Sequence, residues 1–215
     1  KANDAGFSYA EMMQTAGSGI AGFIDKRFRK KVQNIIVGLV GKGNNGGDTI
    51  IALTDLQKAG WSTRAIIVGE RDKQDSLLLD YKASGGMMVE VNDLPRIDQE
   101  AGGKGFVLDG VYGTGFHPPM PEKVIETLKS VRFGLPGFDW FAVDCPSGVD
   151  CETGEVSAGT QPAKWTICLE AVKTGMMTES AFVFSGALVA VDLGLSKYDP
   201  SGGELDDIVL DDHFL

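Results

Sequence analysis

The run Asn34-Ile35-Ile36-Val37-Gly38-Leu39-Val40 is almost wholly apolar, rich in β-branched side chains, and passes directly into Gly41-Lys42-Gly43-Asn44-Asn45-Gly46-Gly47-Asp48. A strand with no polar face has to be covered on both sides, which is the situation of a central strand in a parallel sheet flanked by helices. The rest of the chain repeats the alternation. Ser8-Tyr9-Ala10-Glu11 has the spacing of a capping box, and Ile20, Phe23 and Ile24 carry a helix from there to about Arg29. Further helices are predicted near 48–59, 76–84 and 122–131, and further strands at 64–68, 88–91, 106–109, 141–144, 165–169 and 188–192. The expected fold is α/β, a doubly wound and mainly parallel sheet.

Composition narrows the class. Hydrophobic content of 43% and charged content of 23% suit an ordinary globular domain. It is expected over 1–198, with 199–215 as a tail or linker because Asp199-Pro200-Ser201-Gly202-Gly203-Glu204 has linker composition. Thirty acidic against twenty basic residues give a formal charge of −10, which opposes the phosphate backbone and argues against nucleic acid as a partner. No apolar run approaches the ~18 residues of a membrane span, and the start lacks the layout of a signal peptide, so a cytoplasmic protein without membrane contact is expected. Cys145, Cys151 and Cys168 show no CxxC spacing, and His117 and His213 are the only histidines, so the cysteines are expected to be reduced and structural.

In a doubly wound sheet, ligands bind outside the carboxyl ends of the strands, which directs attention to three loops. The first, Gly41 to Asp48, leads from a strand into a helix whose amides can meet a phosphate. Gly41, Gly43 and Gly46 match the G-x-G-x-x-G fingerprint, and Glu70 stands where a dehydrogenase keeps its ribose-binding acid. A purely structural glycine turn fits these residues equally well. The second loop is Asp109-Gly110-Val111-Tyr112-Gly113-Thr114-Gly115-Phe116, and the third is Asp144-Cys145-Pro146-Ser147-Gly148-Val149-Asp150. A strand-end Asp is often only a cap. Two of them beside glycine turns at equivalent positions point to a shared site.

Together these loops resemble the three signature segments of the YjeF N-terminal family, in the family's order. The resemblance rests on Gly43-Asn44-Asn45-Gly46-Gly47-Asp48, on Asp109 to Phe116, and on Val143 to Asp150 followed by Thr153-Gly154. It extends from Met12-Met13 and Ala16-Gly17 to Val191-Asp192-Leu193-Gly194. It implies a Rossmann-like three-layer αβα fold, NAD(P)H-hydrate epimerase activity, a bound potassium ion and a homodimer. Residue by residue, it places the nucleotide substrate against Asn44, Asn45, Gly46, Gly47, Asp48, Gly113, Thr114, Gly115, Phe116, His117, Pro118, Pro119 and Asp144. Potassium falls to Asn45, Asp109 and Ser147, a set of oxygen donors suited to a hard cation. Thr49, Gln14-Thr15 and His117-Pro118-Pro119 depart from the family's usual residues, and Lys173 stands either as a phosphate neutraliser or as a solvated lysine. Fusion to an ADP- or ATP-dependent NAD(P)H-hydrate dehydratase is a further expectation, since the tail follows linker-like residues.

The implied reaction inverts the hydrated carbon beside the nicotinamide nitrogen in NADHX and NADPHX, a repair of damaged cofactor. The nitrogen lone pair expels the hydroxyl or opens the ring, and re-addition on the other face gives the epimer. Both directions need a proton donor and acceptor, and Asp144 is the expected catalytic residue. The rival readings are a non-catalytic nucleotide-binding or scaffold module of the same fold, as in an mRNA-decapping protein, and an NAD(P)-dependent oxidoreductase.

Overall fold

The computed structural model describes residues 8–29 and 34–194. The expected tail at 199–215 lies outside the described residues. In chain order the elements are α1 (Tyr9–Phe28), β1 (Ile35–Val40), α2 (Asn44–Lys58), β2 (Ser62–Ile67), α3 (Ser76–Ala83), β3 (Met87–Met88), α4 (Leu94–Glu100), β4 (Gly105–Gly110), α5 (Glu122–Gly134), β5 (Phe138–Val143), β6 (Trp165–Leu169), α6 (Glu179–Ser185) and β7 (Ala187–Val191). Short 3-10 turns occupy Val91–Asp93 and Thr174–Met177.

The strands form one seven-stranded sheet of order β3-β2-β1-β4-β5-β6-β7. Every pairing in it is parallel, from Arg64 opposite Met87 at one edge to Leu169 opposite Val191 at the other. β1 and β4 lie at its centre and are buried along their whole length. Alternate residues of these strands feed two cores. On one face Ile36, Val40, Phe106 and Phe141 pack with Ile20, Ile24 and Phe28 of α1, Leu53 and Leu56 of α2, and Leu78 and Tyr81 of α3. On the other, Val37, Leu39, Val107 and Trp140 pack with Leu94 and Ile97 of α4 and with Leu128 and Val131 of α5. This is a three-layer αβα arrangement. The ring of Phe28 lies 5.4 Å from that of Phe106 and 5.2 Å from that of Phe141, contacts that add about 0.5–1.5 kcal/mol each beyond their buried area.

The capping box at the start of α1 forms as its spacing predicts, with Ser8 accepting from the Glu11 amide and the Glu11 carboxylate accepting from the Ser8 amide at 2.9 Å. Several boundaries differ from those read in the sequence. β3 is only two residues long, because the Glu90 amide donates to Asp93 Oδ2 and turns the chain out of the sheet. α4 and α6 were not predicted. Each has seven residues and only two that are buried, too few to show a helical period. Among the described residues no helix is long and apolar enough to cross a membrane.

Candidate active site

The strand order reverses between β1 and β4, which run side by side while their crossovers leave in opposite directions. That switch point opens a crevice at the carboxyl end of the sheet. A cleft of about 790 Å³ lies there, lined from the loop after β1 and the first turn of α2, from the loop after β4, and by Asp144 after β5. It brings together Asn44, Asn45, Asp48, Gly113, Thr114, Gly115, Phe116, His117, Pro119 and Asp144, all expected from the sequence, and adds Lys42, Gly43, Val111, Tyr112 and Pro121.

α2 begins at Asn44, four residues earlier than its apolar period suggests, so Asn44 to Asp48 form its first turn. Two glycines in five residues oppose a helix on propensity alone, but contacts with the neighbouring loops require them. A Cβ on Gly46 would strike the Gly41 carbonyl, and one on Gly41 would strike the Val111 carbonyl. A Cβ on Gly47 would meet Met13 and, farther off, Leu77. Gly46 and Gly47 therefore act as close-packing residues and, like Pro118, are not part of the cleft lining. Gly43 caps α2 without a side chain, so no side chain occupies the amides of the first turn. Arg71, which sequence reasoning passed over, secures the glycine loop: its Nη1 donates to the Gly41 carbonyl at 2.8 Å while its Nε meets Asp75 at 2.6 Å.

Asn45 Nδ2 donates to the carbonyls of Tyr112 at 2.9 Å and Val143 at 3.1 Å, tying α2 to the ends of β4 and β5. Behind it, Asp109 is 2% exposed and receives the Ser147 hydroxyl at 2.6 Å, the Ser147 amide at 3.1 Å and the Val111 amide at 3.3 Å. Ser147 Oγ in turn accepts from the Tyr112 amide at 3.0 Å. Asp109 and Ser147 thus clamp the second loop to the third from beneath the cleft. Burial pushes the Asp109 carboxyl up, against the lowering effect of the Ser147 bonds. Thr49, a departure from the family pattern, donates to the Asn45 carbonyl at 2.8 Å and packs so tightly that a Cβ on Gly110 would collide with its hydroxyl.

Asp144 adopts φ 66°, in the left-handed region that few residues other than glycine occupy. Backbone strain of this kind persists where its surroundings enforce it, frequently at functional sites. Its amide donates to the Ile167 carbonyl at 2.8 Å, and its Oδ1 accepts from the Leu169 amide at 3.0 Å and from Lys173 Nζ. Lys173 also donates to the Leu169 carbonyl at 2.8 Å. It is therefore neither a solvated lysine nor a phosphate ligand in this geometry, but the counter-ion of Asp144. Asp48 faces the same cleft, and burial together with the Asp144 charge pushes its carboxyl up to about 7.

With this geometry the chain can be set beside known proteins. The family described as YjeF-related protein N-terminus matches residues 9–175. The chain belongs to this family. An NAD(P)H-hydrate epimerase of Rhodopirellula baltica is 29% identical over 194 residues, covering 86% of this chain and 75% of the relative. One from Caenorhabditis elegans is 32% identical over 155 residues, covering 71% of this chain and 61% of the relative. A bifunctional NAD(P)H-hydrate repair enzyme Nnr of Moorella thermoacetica is 27% identical over 197 residues, covering 86% of this chain, which spans only 36% of that relative. The crystal structure of yeast ynu0 matches with a TM-score of 0.70 at 18% identity, covering 86% of this chain and 79% of that one, a likeness of fold.

Two other expectations meet the structure as members of this family. Glu70, the acid of the dehydrogenase fingerprint, is exposed and lines no part of the cleft. Of the cysteines, expected to be reduced, Cys145 and Cys151 lie with their sulfur atoms facing one another across the third loop, while Cys168 is free and buried. His117 is held by Asp150 Oδ2 at 2.7 Å from its Nδ1, and that bond raises the imidazole above its usual range. Both residues stand in loops singled out in the sequence, but their pairing was not visible there.

Proposed function

We propose that this protein interconverts the R and S epimers of hydrated NADH and NADPH, NADHX and NADPHX, as a step of nicotinamide cofactor repair. The observation that carries the reading is Asp144: a carboxylate at a strained strand end, ion-paired with Lys173, facing a nucleotide-sized cleft at the switch point. The family and the epimerase relatives supply the substrate class. The first turn of α2 and the loop 113–119 would hold the nucleotide, with amides free of side-chain caps and with the Nε2 of His117, the ring nitrogen that Asp150 does not hold, meeting a phosphate. Asp144 would exchange a proton with the hydroxyl on the carbon beside the ring nitrogen, while that nitrogen's lone pair makes the stereocentre labile. No net redox change occurs, so the products are an equilibrium pair.

Potassium is part of the proposal. Asn45 commits its Nδ2 to two carbonyls, and no described residue donates a hydrogen bond to its Oδ1. Asp109 and Ser147, linked to Asn45 through Tyr112, add a carboxylate and a hydroxyl. An amide, a carboxylate and a hydroxyl fit a hard monovalent cation, which would fix the three loops relative to one another. Fusion to a dehydratase unit is supported by relatives named bifunctional, of which this chain spans 36% to 37%.

The test is Asp144→Asn, which keeps size and hydrogen bonding but cannot transfer a proton. With the uncatalysed rate subtracted, epimerisation should fall by about 100-fold or more, while calorimetry shows NADP+ still binding. Near-normal turnover would remove Asp144 from the chemistry, and a wild-type protein that binds but never epimerises would favour the scaffold reading.

A further inference from the structure

Asp144 is not the only carboxyl in the cleft. Asp48, in the first turn of α2, is 6% exposed and close enough to Asp144 for their charges to oppose one another. The two differ in their partners. Asp144 has Lys173 and the Leu169 amide, whereas no described residue gives Asp48 a hydrogen bond or an ion pair. Buried carboxylates are seldom left in that state without a functional reason.

The surroundings explain why Asp48 stays unpaired. The preceding residue of its turn, Gly47, faces Met13 of α1 and, farther off, Leu77 of α3, both apolar. The nearby charges of those elements are spent elsewhere, Glu11 on Ser8 and Asp75 on Arg71. Asp109 of β4 is enclosed by Ser147, and Arg64 of β2 is paired with Glu100. Lys42 and His117 line the cleft, but His117 is held by Asp150. Asp48 is thus a buried carboxyl with no cationic partner and an anionic neighbour, conditions under which the neutral, proton-carrying form is favoured. Strand order places it on the β1 side of β4 and Asp144 on the β5 side.

We propose that Asp48 is a second catalytic residue, the acid that protonates the departing hydroxyl, while Asp144 is the base that serves the opposite face of the ring. The inference rests on the epimerase reading. In the step, the bond between the ring carbon and the hydroxyl oxygen breaks and its electron pair leaves with the oxygen. That oxygen takes the Asp48 proton and departs as water, while the nitrogen lone pair forms a carbon–nitrogen double bond. Water then adds from the other face, its oxygen bonding to the carbon, and its surplus proton passes to Asp144 as the double-bond electrons return to nitrogen. One proton has moved from Asp48 to Asp144, and the reverse reaction returns it with the roles exchanged. One carboxyl paired with a lysine and one buried without a partner, both in the same cleft, suit the division of base and acid within one site.

The experiment compares wild type, Asp48→Asn, Asp48→Glu and Asp144→Asn as intact chains, measuring epimerisation in both directions and NADP+ affinity by calorimetry. Asp48→Asn should lower kcat by about 100-fold with KM and NADP+ affinity changed less than about threefold, and Asp48→Glu should recover at least about tenfold of that loss. The wild-type kcat should fall as pH rises through about 7, where Asp48 gives up its proton, and that limb should vanish in Asp48→Asn. Retention of kcat within about threefold in Asp48→Asn, or a loss confined to KM, would overturn the assignment while leaving the epimerase reading intact. A wild type with no epimerisation would overturn both.

Discussion

Replacing Asp48 with Asn should stabilise the folded protein, and by an amount that depends on pH in a defined way. The carboxyl ionises near 3.8 in the unfolded chain and at about 7 in the folded one, chiefly because it is buried and secondarily because it faces the Asp144 charge. A group whose pKa rises on folding contributes stability that is fully present below its unfolded pKa and is lost as pH rises through its folded pKa. At 1.36 kcal/mol per pH unit, a shift of about three units corresponds to roughly 4 kcal/mol as an upper bound. Water entering the open cleft reduces this to about 2–4 kcal/mol. Asn is neutral throughout and carries no such loss. The two proteins should therefore have nearly equal stability near pH 4, and the Asn variant should pull ahead up to about pH 7 and hold a constant lead above it. For a chain of this size, 2–4 kcal/mol corresponds to roughly 6–12 °C in melting temperature. Urea unfolding of both proteins at half-unit intervals from pH 4 to 8.5 measures the difference directly. Parallel stability curves across that range would refute the burial argument, and with it the claim that this carboxyl holds its proton near neutrality. A variant that is more stable yet less active is the pattern expected of a residue kept for chemistry at a cost to the fold.

Two further outcomes follow from the same geometry. Asp109→Ala removes the acceptor of three buried hydrogen bonds and should cost about 3 kcal/mol in urea unfolding. Exchanging a bulky organic cation for potassium at ten times its Kd should add about 1.4 kcal/mol to the wild type and nothing to this variant. Lys173→Met strips Asp144 of its counter-ion while keeping most of the side-chain volume. It should lower kcat by about tenfold or more and stability by about 2 kcal/mol, read by steady-state kinetics and thermal melting. A lysine that merely neutralised a substrate phosphate would raise KM instead.

Much of this was visible in the sequence because the signals were local. The β1 run showed a doubly covered strand since its six residues are all buried, and Trp165–Leu169 was read to the residue because charged Lys164 and Glu170 bracket the run on both sides. The start of α2 was misread because its first turn is held by bonds from Asn45 to Tyr112 and Val143, partners distant in sequence, and by close packing of Gly46 on Gly41, rather than by the propensities of Asn and Gly. The same reason hid the pairings within the site. Lys173 reaches Asp144 from 29 residues away and Asp150 reaches His117 from 33. Arg71 holds the glycine loop from 30 residues downstream. Each is an ordinary charged residue in its own neighbourhood, and only the parallel sheet, which gathers all strand ends on one side, brings it to the cleft.

The central claim is epimerisation without net redox change, and the most direct measurement starts from both ends. Purified R and S epimers of NADHX, each incubated separately with the intact protein and followed by chiral-phase chromatography, should converge on one R-to-S ratio. They should do so much faster than the uncatalysed controls, with no NADH or NAD+ formed and no other substrate consumed. Separate mixtures that stay at their starting composition while NADP+ binds, or that yield oxidised or dehydrated cofactor, would contradict it.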